Sequence, residues 1–330
     1  MKILVRLPNW LGDLVMSAAF MECLRQTYPT AQVDVIVKRG LEEIASRFSG
    51  ISYVYVFDKK LHPGLRGAMR FGWDIGFKTK YDLAFALPNS FSSAAMLWRT
   101  GAQQRIGYSH ELRDIFLTHA FKKPAANLPL HRAQHYVQLL EKFSDQRLNQ
   151  LKVHLGEPRT ARQDRILVNV NSEAESRRLP VEKAVAIINL LRQATHKELV
   201  LLGSPKEVPY VNAVYEALSV KEGILNIAGE TNLNDLVELM LNSTLMLTTD
   251  SGPAHLANAL GVYTIVLTGA GNELHTRPFN QANSTIIRLN QLPCEPCVRN
   301  TCKFGKPACL LQLNNELIVQ AVMQAAKNKQ

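Results

Sequence analysis

Lys2-Ile3-Leu4-Val5-Arg6-Leu7 is a short, mostly apolar run, and Pro8-Asn9-Trp10-Leu11-Gly12-Asp13 carries it directly into the apolar periodicity of Val15–Thr27. A strand, a tight loop and a helix in that order make the first half of a βαβ unit. The alternation continues with strand-like Gln32–Val37, Tyr53–Phe57, Leu83–Leu87 and the shorter Arg105–Tyr108, separated by longer amphipathic segments. The pattern predicts a mostly parallel sheet covered by helices on both faces.

Around Glu157–Gln163 the chain turns polar and carries Pro158, and Ile166–Val170 then restarts the same alternation. Strand character recurs at Leu199–Leu202, Ile224–Ile227, Leu245–Thr248, Thr264–Leu267 and Thr285–Leu289. Two similar α/β domains follow, 1–157 and 164–330, as expected for a 330-residue chain longer than single cores usually grow. Asn314–Lys327 repeats apolar residues at the spacing of one helix face and is expected to pack on a domain surface.

With 46% apolar and 20% charged residues, the composition is that of a folded globular protein. Arg6 and Asp13 interrupt the apolar N-terminus, which argues against a secretory h-region, and no apolar run reaches the roughly 18 residues of a membrane span. A cytoplasmic protein is the expectation. The net charge of +10 is uneven: residues 1–157 hold 21 Lys+Arg against 13 Asp+Glu, so most of the excess lies in the first half. Such a field attracts anions in general, nucleic acid, lipid headgroups and phosphorylated sugars alike, although a solubilising surplus of cations would look the same.

In open parallel sheets, ligands bind beyond the carboxyl ends of the strands. Two loops there stand out. In the first, Gly12 permits a tight turn and Asp13 lies near a helix start, where it would either cap the helix or act as a general base on an incoming hydroxyl. The second, Thr249-Asp250-Ser251-Gly252-Pro253-Ala254-His255, leads into helical Leu256–Leu260. Its small residues allow close backbone approach, Pro253 pre-sets the first turn, and free N–H groups favour a phosphate, with Ser251 and His255 as further donors. Neither a G-x-G-x-x-G after the first strand of either half nor a P-loop occurs, and G-x-S-x-G and H-E-x-x-H are absent, which removes support for dinucleotide, P-loop, α/β-hydrolase and zincin chemistry.

Four of five cysteines cluster as Cys294-x2-Cys297-x4-Cys302-x6-Cys309, a spacing compatible with one tetrahedral thiolate site for a structural metal or with reduced structural thiols. Cys23, isolated in a helical pattern, reads as a small core residue.

With both loops in view, the chain resembles the lipopolysaccharide heptosyltransferases of glycosyltransferase family 9. The resemblance spans nearly the whole sequence and is carried by Lys2–Val5 with Pro8–Asp13, Leu87-Pro88-Asn89-Ser90-Phe91 with Ser93-Ala94, Arg105–Tyr108, Asp250–Ala257 and the cysteine segment ending Ala308-Cys309-Leu310. It implies an α/β fold of GT-B type, two Rossmann-like domains facing a central cleft. The first domain would bind the acceptor and the second the nucleotide-sugar ADP-heptose. An acceptor built of lipid A with acidic Kdo sugars and phosphates fits the basic first half, and implies peripheral association with the cytoplasmic face of the inner membrane.

Carried over by position, Asp13 falls on the family's base, with Gly12, Asn89 and Ser90 as loop support on the acceptor side. Asp250, Ser251, Gly252 and His255 fall on the diphosphate loop. Arg177 stands where the family usually has a lysine near the donor phosphates, replacing a point charge by a planar fork. Asn169-Val170-Asn171-Ser172 lacks the usual Pro-Gly-Ala turn, and Tyr263 replaces a common proline. The resemblance implies inverting transfer of L-glycero-D-manno-heptose, with no cofactor required. Two alternatives stand beside it: a family member using another sugar or acceptor, including protein, and a metal-containing nucleic-acid-binding protein. Scattered basic residues without aromatic interleaving speak against nucleic acid as partner.

Overall fold

A computed structural model describes residues 1–125 and 128–328. The chain divides into two compact units, Met1–Leu155 and Gly156–Gln330.

The first unit holds six parallel strands, β1 (Lys2–Arg6), β2 (Gln32–Lys38), β3 (Ile51–Phe57), β4 (Leu83–Ala86), β5 (Gln104–Tyr108) and β6 (His119–Phe121). Their order is β3-β2-β1-β4-β5-β6. Helices α1 (Leu11–Met16), α2 (Ala18–Thr27), α3 (Glu42–Ala45), α4 (Gly64–Lys78), α5 (Phe91–Arg99) and α6 (Arg132–Ser144) make the crossovers and the final cover. Ile3, Leu4, Val5 and Leu7 are all fully buried, each stabilising the unit by about 1.5–3 kcal/mol over an exposed position. Burial on both faces explains why the strands read as continuous apolar runs and not as alternating ones. Helix α4 lies against α5 at backbone contact. A Cβ on Gly72 would meet the Met96 carbonyl at 2.0 Å and one on Gly76 the Thr100 carbonyl at 2.1 Å, so glycine is required at both positions.

The second unit repeats the plan with β7 (Gln163–Asn169), β8 (Glu198–Leu201), β9 (Ile224–Asn226), β10 (Ser243–Thr249), β11 (Tyr263–Thr268) and β12 (Ser284–Arg288), ordered β12-β11-β10-β7-β8-β9 and again parallel. Counted from β7, this is the order of the first unit. Its helices are α7 (Val181–Ala194), α8 (Val208–Glu216), α9 (Leu233–Leu241), α10 (Gly252–Ala259), α11 (Glu273–Thr276), α12 (Ala308–Leu311) and α13 (Asn315–Asn328). Ile318, Val322, Ala325 and Ala326 bring α13 into the core of this unit, beside Ile187, Ile188 and Leu191 of α7.

Both sheets have the doubly wound order in which the crossover direction reverses once, between β1 and β4 and between β7 and β10. At such a switch point the loops after the two central strands diverge and leave a crevice for ligands. Pro8–Asp13 follows β1 and Leu87–Ser90 follows β4; Val170–Arg178 follows β7 and Asp250–Gly252 follows β10. Gly12, Asp13, Asn89, Ser90, Arg177, Asp250, Ser251 and Gly252 therefore lie at the two switch points, with His255 in the helix that follows the second.

The structure corrects two local expectations. The first helix begins at Leu11, not Val15, with Trp10 as its N-cap and no side-chain cap bond. Asp13 thus sits in the first turn, already inside α1, and does not cap. Gly12 lies in the same turn and is not among the positive-φ glycines, so a tight left-handed turn is not its purpose.

Candidate functional site

In the first unit, two buried arginines support the two switch-point loops from below. Arg6, on β1, donates to the Leu7 and Ile36 carbonyls and to Asn9 Oδ1 in the Pro8–Asp13 loop. Arg113 donates to the Pro88 carbonyl at 2.8 Å and reaches Asn89 Oδ1 at 3.5 Å. Burial pushes both guanidinium groups down to about 10. They remain protonated at neutral pH and place positive charge beneath loops that carry no Lys or Arg of their own. Ser90 is the N-cap of α5, its hydroxyl accepting from the Ser93 N–H.

Helix α6 brings two further groups to Asp13. Arg132 Nε lies 3.5 Å from Asp13 Oδ1, and one turn later the buried Tyr136 hydroxyl donates to the same carboxylate. Burial first, then the Asp13 charge, raises the Tyr136 phenol well above its ordinary value, so it stays a donor at any working pH. The cap of α6 fixes this register: His131 accepts from the Ala133 N–H while Gln134 accepts from the His131 N–H. Lys123 stands within the field of Arg113 and Arg132, and its pKa is lowered by burial and then by those two cations. A carboxylate oriented by two partners and still about one third exposed can take a proton from a hydroxyl.

In the second unit, Asp250 directly follows β10 and is 6% exposed. Arg177 Nη1 stands 3.5 Å from its Oδ2, uniting two residues 73 positions apart that the sequence assigned to one site. Burial raises the Asp250 carboxyl, opposed by Arg177 and then Arg288. Asp250 Oδ2 and Arg177 Nε are both buried without a hydrogen-bond partner. The pair is held by charge more than by completed bonds, which leaves donor capacity for a ligand. A Cβ at position 271 would fall 1.9 Å from Asp250 Oδ2, so the carboxylate occupies space that only Gly271 leaves.

Ser251 is the N-cap of α10, with Gly252 and Pro253 opening the helix and His255 buried in its first turn. The Ser251 hydroxyl makes no cap bond. Asn169 Nδ2 donates to it at 3.1 Å and to Thr248 Oγ1 at 3.0 Å, fixing it between β7 and β10. The first N–H groups of α10 therefore point at the switch point uncapped by a side chain, the arrangement that receives an anion. On the facing loop, Thr249 Oγ1 donates to the Asn171 carbonyl and Arg178 to the Ser172 carbonyl, so the segment without a Pro-Gly-Ala turn is still tied down.

The cysteine segment serves as a wall of this site. Val298 N–H donates to the Ala270 carbonyl, Ser176 N–H to the Asn300 carbonyl, and Ser176 Oγ to the Arg299 carbonyl. These bonds pin the turn that carries Arg177. All five cysteines are free thiols, and among the described residues no group of three or more His, Cys, Asp or Glu side chains is placed to hold a metal ion. Cys309 turns into the core, where a Cβ on Gly269 would meet its sulfur at 2.5 Å, and burial pushes its thiol up to about 11. Cys302 instead donates to the Lys306 carbonyl.

A family model described as glycosyltransferase family 9 (heptosyltransferase) matches residues 76–308. The chain belongs to glycosyltransferase family 9. It is similar to the lipooligosaccharide heptosyltransferase 2 of Haemophilus influenzae, 28% identical with 88% of this chain and 89% of the relative covered. The lipopolysaccharide heptosyltransferase 2 of Escherichia coli is also 28% identical, with 88% of each chain covered. Among solved structures, the E. coli ADP-heptose LPS heptosyltransferase II superposes with a TM-score of 0.83 at 23% identity over 99% of both chains. This family 9 glycosyltransferase thus has the α/β fold expected from its sequence, with Rossmann-like units of the GT-B type.

Arg6, Arg113, Lys123, Arg132 and Tyr136 were not singled out from the sequence as site residues. Arg6 offered the one available signal, a cation inside a strand that is otherwise buried. Arg132 and Tyr136 lie on a helix 119 or more positions from Asp13, and nothing local marks them.

Proposed function

We propose that this family 9 enzyme transfers L-glycero-D-manno-heptose from ADP-heptose to a sugar hydroxyl of the lipopolysaccharide inner core, an acceptor of Kdo and heptose on lipid A. The observation that carries the reading is Asp13, a carboxylate with no capping duty at the first switch point, oriented by Arg132 and Tyr136. The second switch point supplies the complementary half, an uncapped helix start beside Arg177. The names of the relatives agree with it, as each is a lipooligosaccharide or lipopolysaccharide heptosyltransferase.

In the proposed reaction, the acceptor oxygen forms a bond to the anomeric carbon from the face opposite ADP, and the bond from that carbon to the diphosphate oxygen breaks. Configuration inverts through an oxocarbenium-like transition state. The hydroxyl proton passes to Asp13, and the electron pair leaves with ADP. Arg177 and the N–H groups of Gly252 and its neighbours offset the charge that grows on the diphosphate, while Ser251 and His255 bind it. These groups suffice for the leaving group, so the reaction requires no cofactor. Arg113, Lys123 and Arg132 would receive the acidic groups of the acceptor.

Among the described residues, no helix is long and apolar enough to cross a membrane. In the proposed reading, a lipid-linked acceptor is met at the cytoplasmic membrane surface. Incubating the enzyme with ADP-heptose and a panel of truncated core acceptors, with mass spectrometry of the products, tests the reading. A heptose added to an inner-core acceptor supports it, and turnover only with another nucleotide-sugar, or only on protein, refutes it.

A further inference from the structure

We propose that the outer face of α4 docks the enzyme on an anionic lipid bilayer. Arg66, Arg70, Trp73 and Phe77 recur at i, i+4, i+7 and i+11, which places them on one stripe of the helix. All four are exposed, Trp73 at 49% and Phe77 at 77%, and their rings stack with centroids 5.6 Å apart. Leu65, 39% exposed, borders the stripe. The opposite face, Ala68, Gly72, Ile75 and Gly76, is sealed, with the two glycines at backbone contact against α5. The helix cannot rotate to hide its aromatics without forcing a Cβ-bearing or charged position into that contact. Two large rings are thus held in water by the fold itself.

A fixed surface that alternates guanidinium groups with an indole and a phenyl ring has the composition of an interfacial helix. The rings enter the headgroup boundary and the arginines meet the phosphates. Charge complementarity selects the occupant. The first unit carries 21 Lys+Arg against 12 Asp+Glu, and on α4 only Asp74, off the stripe, opposes three cations, Arg66, Arg70 and Lys78. A second copy of the chain packed on this face would set Arg66 and Arg70 against the same two residues, and the stripe, roughly 16 Å long, is short for a stable dimer interface. A bilayer with acidic headgroups neutralises the same charges. The placement suits the reaction as well. The loop entering α4 leaves β3 at the carboxyl edge of the sheet, the edge that bears Asp13, so a bilayer against α4 borders the acceptor side.

The surface and the reaction are separate claims, and the experiment keeps them so. The full-length enzyme is sedimented with vesicles of phosphatidylcholine alone and of phosphatidylcholine with phosphatidylglycerol at roughly 7:3, alongside the variants R66S/R70S and W73S/F77S. Binding is expected only to the mixed vesicles. Losing two arginines weakens it roughly thirtyfold, about fivefold for each cation near the surface. The W73S/F77S variant also loses binding, and turnover of a soluble, deacylated acceptor stays at the wild-type rate in both variants. Absence of binding to the mixed vesicles, or equal binding by wild type and variants, overturns the proposal. So does a wild-type dimer in sedimentation velocity that either variant converts to monomer, since the stripe would then belong to a second copy.

Discussion

Replacing Arg177 with methionine removes the closest cation to Asp250 while keeping the length of the side chain. Asp250 is 6% exposed, its Oδ2 has no hydrogen-bond partner, and burial already raises its carboxyl. Breaking a buried ion pair by deleting one partner costs about 3–5 kcal/mol when nothing else compensates. Arg288 continues to oppose the burial, so the expected cost falls to about 2–3 kcal/mol. For a unit of this size that corresponds to a drop of roughly 5–10 °C in its melting temperature.

The sign of the pH dependence follows from the direction of the shift. A carboxyl whose folded pKa lies above its unfolded value favours the fold below the unfolded pKa, and that advantage is lost as pH rises through the folded pKa. R177M raises the folded pKa further. Its deficit relative to wild type should therefore be largest at neutral pH and above, and shrink on acidification as Asp250 takes up a proton. Differential scanning calorimetry from pH 5 to 8, roughly the range in which folded proteins are most stable, reads this directly. In the double variant R177M/D250N no uncompensated charge remains, and most of the lost stability should return. A pH-independent loss in R177M, or no recovery in the double variant, refutes the reasoning that this pair is held by charge.

Gly271→Ala places a methyl group where Asp250 Oδ2 now sits, at 1.9 Å, so ADP affinity measured by calorimetry should fall at least about tenfold as the carboxylate and Arg177 are displaced together. Tyr136→Phe removes the donor to Asp13 without changing packing; kcat should drop roughly tenfold, the value of one hydrogen bond to a charged group, while the KM for donor is unchanged in steady-state kinetics. Cys309→Ala opens a small void beside Gly269 and should lower stability by about 1 kcal/mol in urea unfolding, and chelator treatment of the wild type should shift neither the melting temperature nor turnover.

Most strands were readable, the central ones because burial on both faces demands continuous apolar runs that stand out between amphipathic segments. The exception is β6, three residues reading His119-Ala120-Phe121 at the sheet edge, too short and too mixed to differ from a loop. The start of the first helix was misplaced because Trp10 caps it without a side-chain bond, so none of the usual N-cap residues announces it. Ser17 then ends α1 after six residues, its hydroxyl bonding the Leu14 carbonyl, where the apolar spacing alone reads as one helix. Motif residues that lie in the loops of single strands, such as Asp13 and Asp250, were legible. The partners of Asp13 were not, because Arg132 and Tyr136 meet it only once α6 has packed beside the sheet. Spacing alone does not tell that Cys309 points into the core.

The most direct test of the account is the turnover of Asp13→Asn, an isosteric side chain that can be oriented by Arg132 and Tyr136 but cannot take the proton. With ADP-heptose and an inner-core acceptor, the rate should fall about 10²- to 10⁴-fold while ADP affinity stays within roughly twofold of wild type, because the base acts on the acceptor and not on the nucleotide. A variant that transfers heptose at near the wild-type rate would contradict the assignment of Asp13 and with it the proposed mechanism.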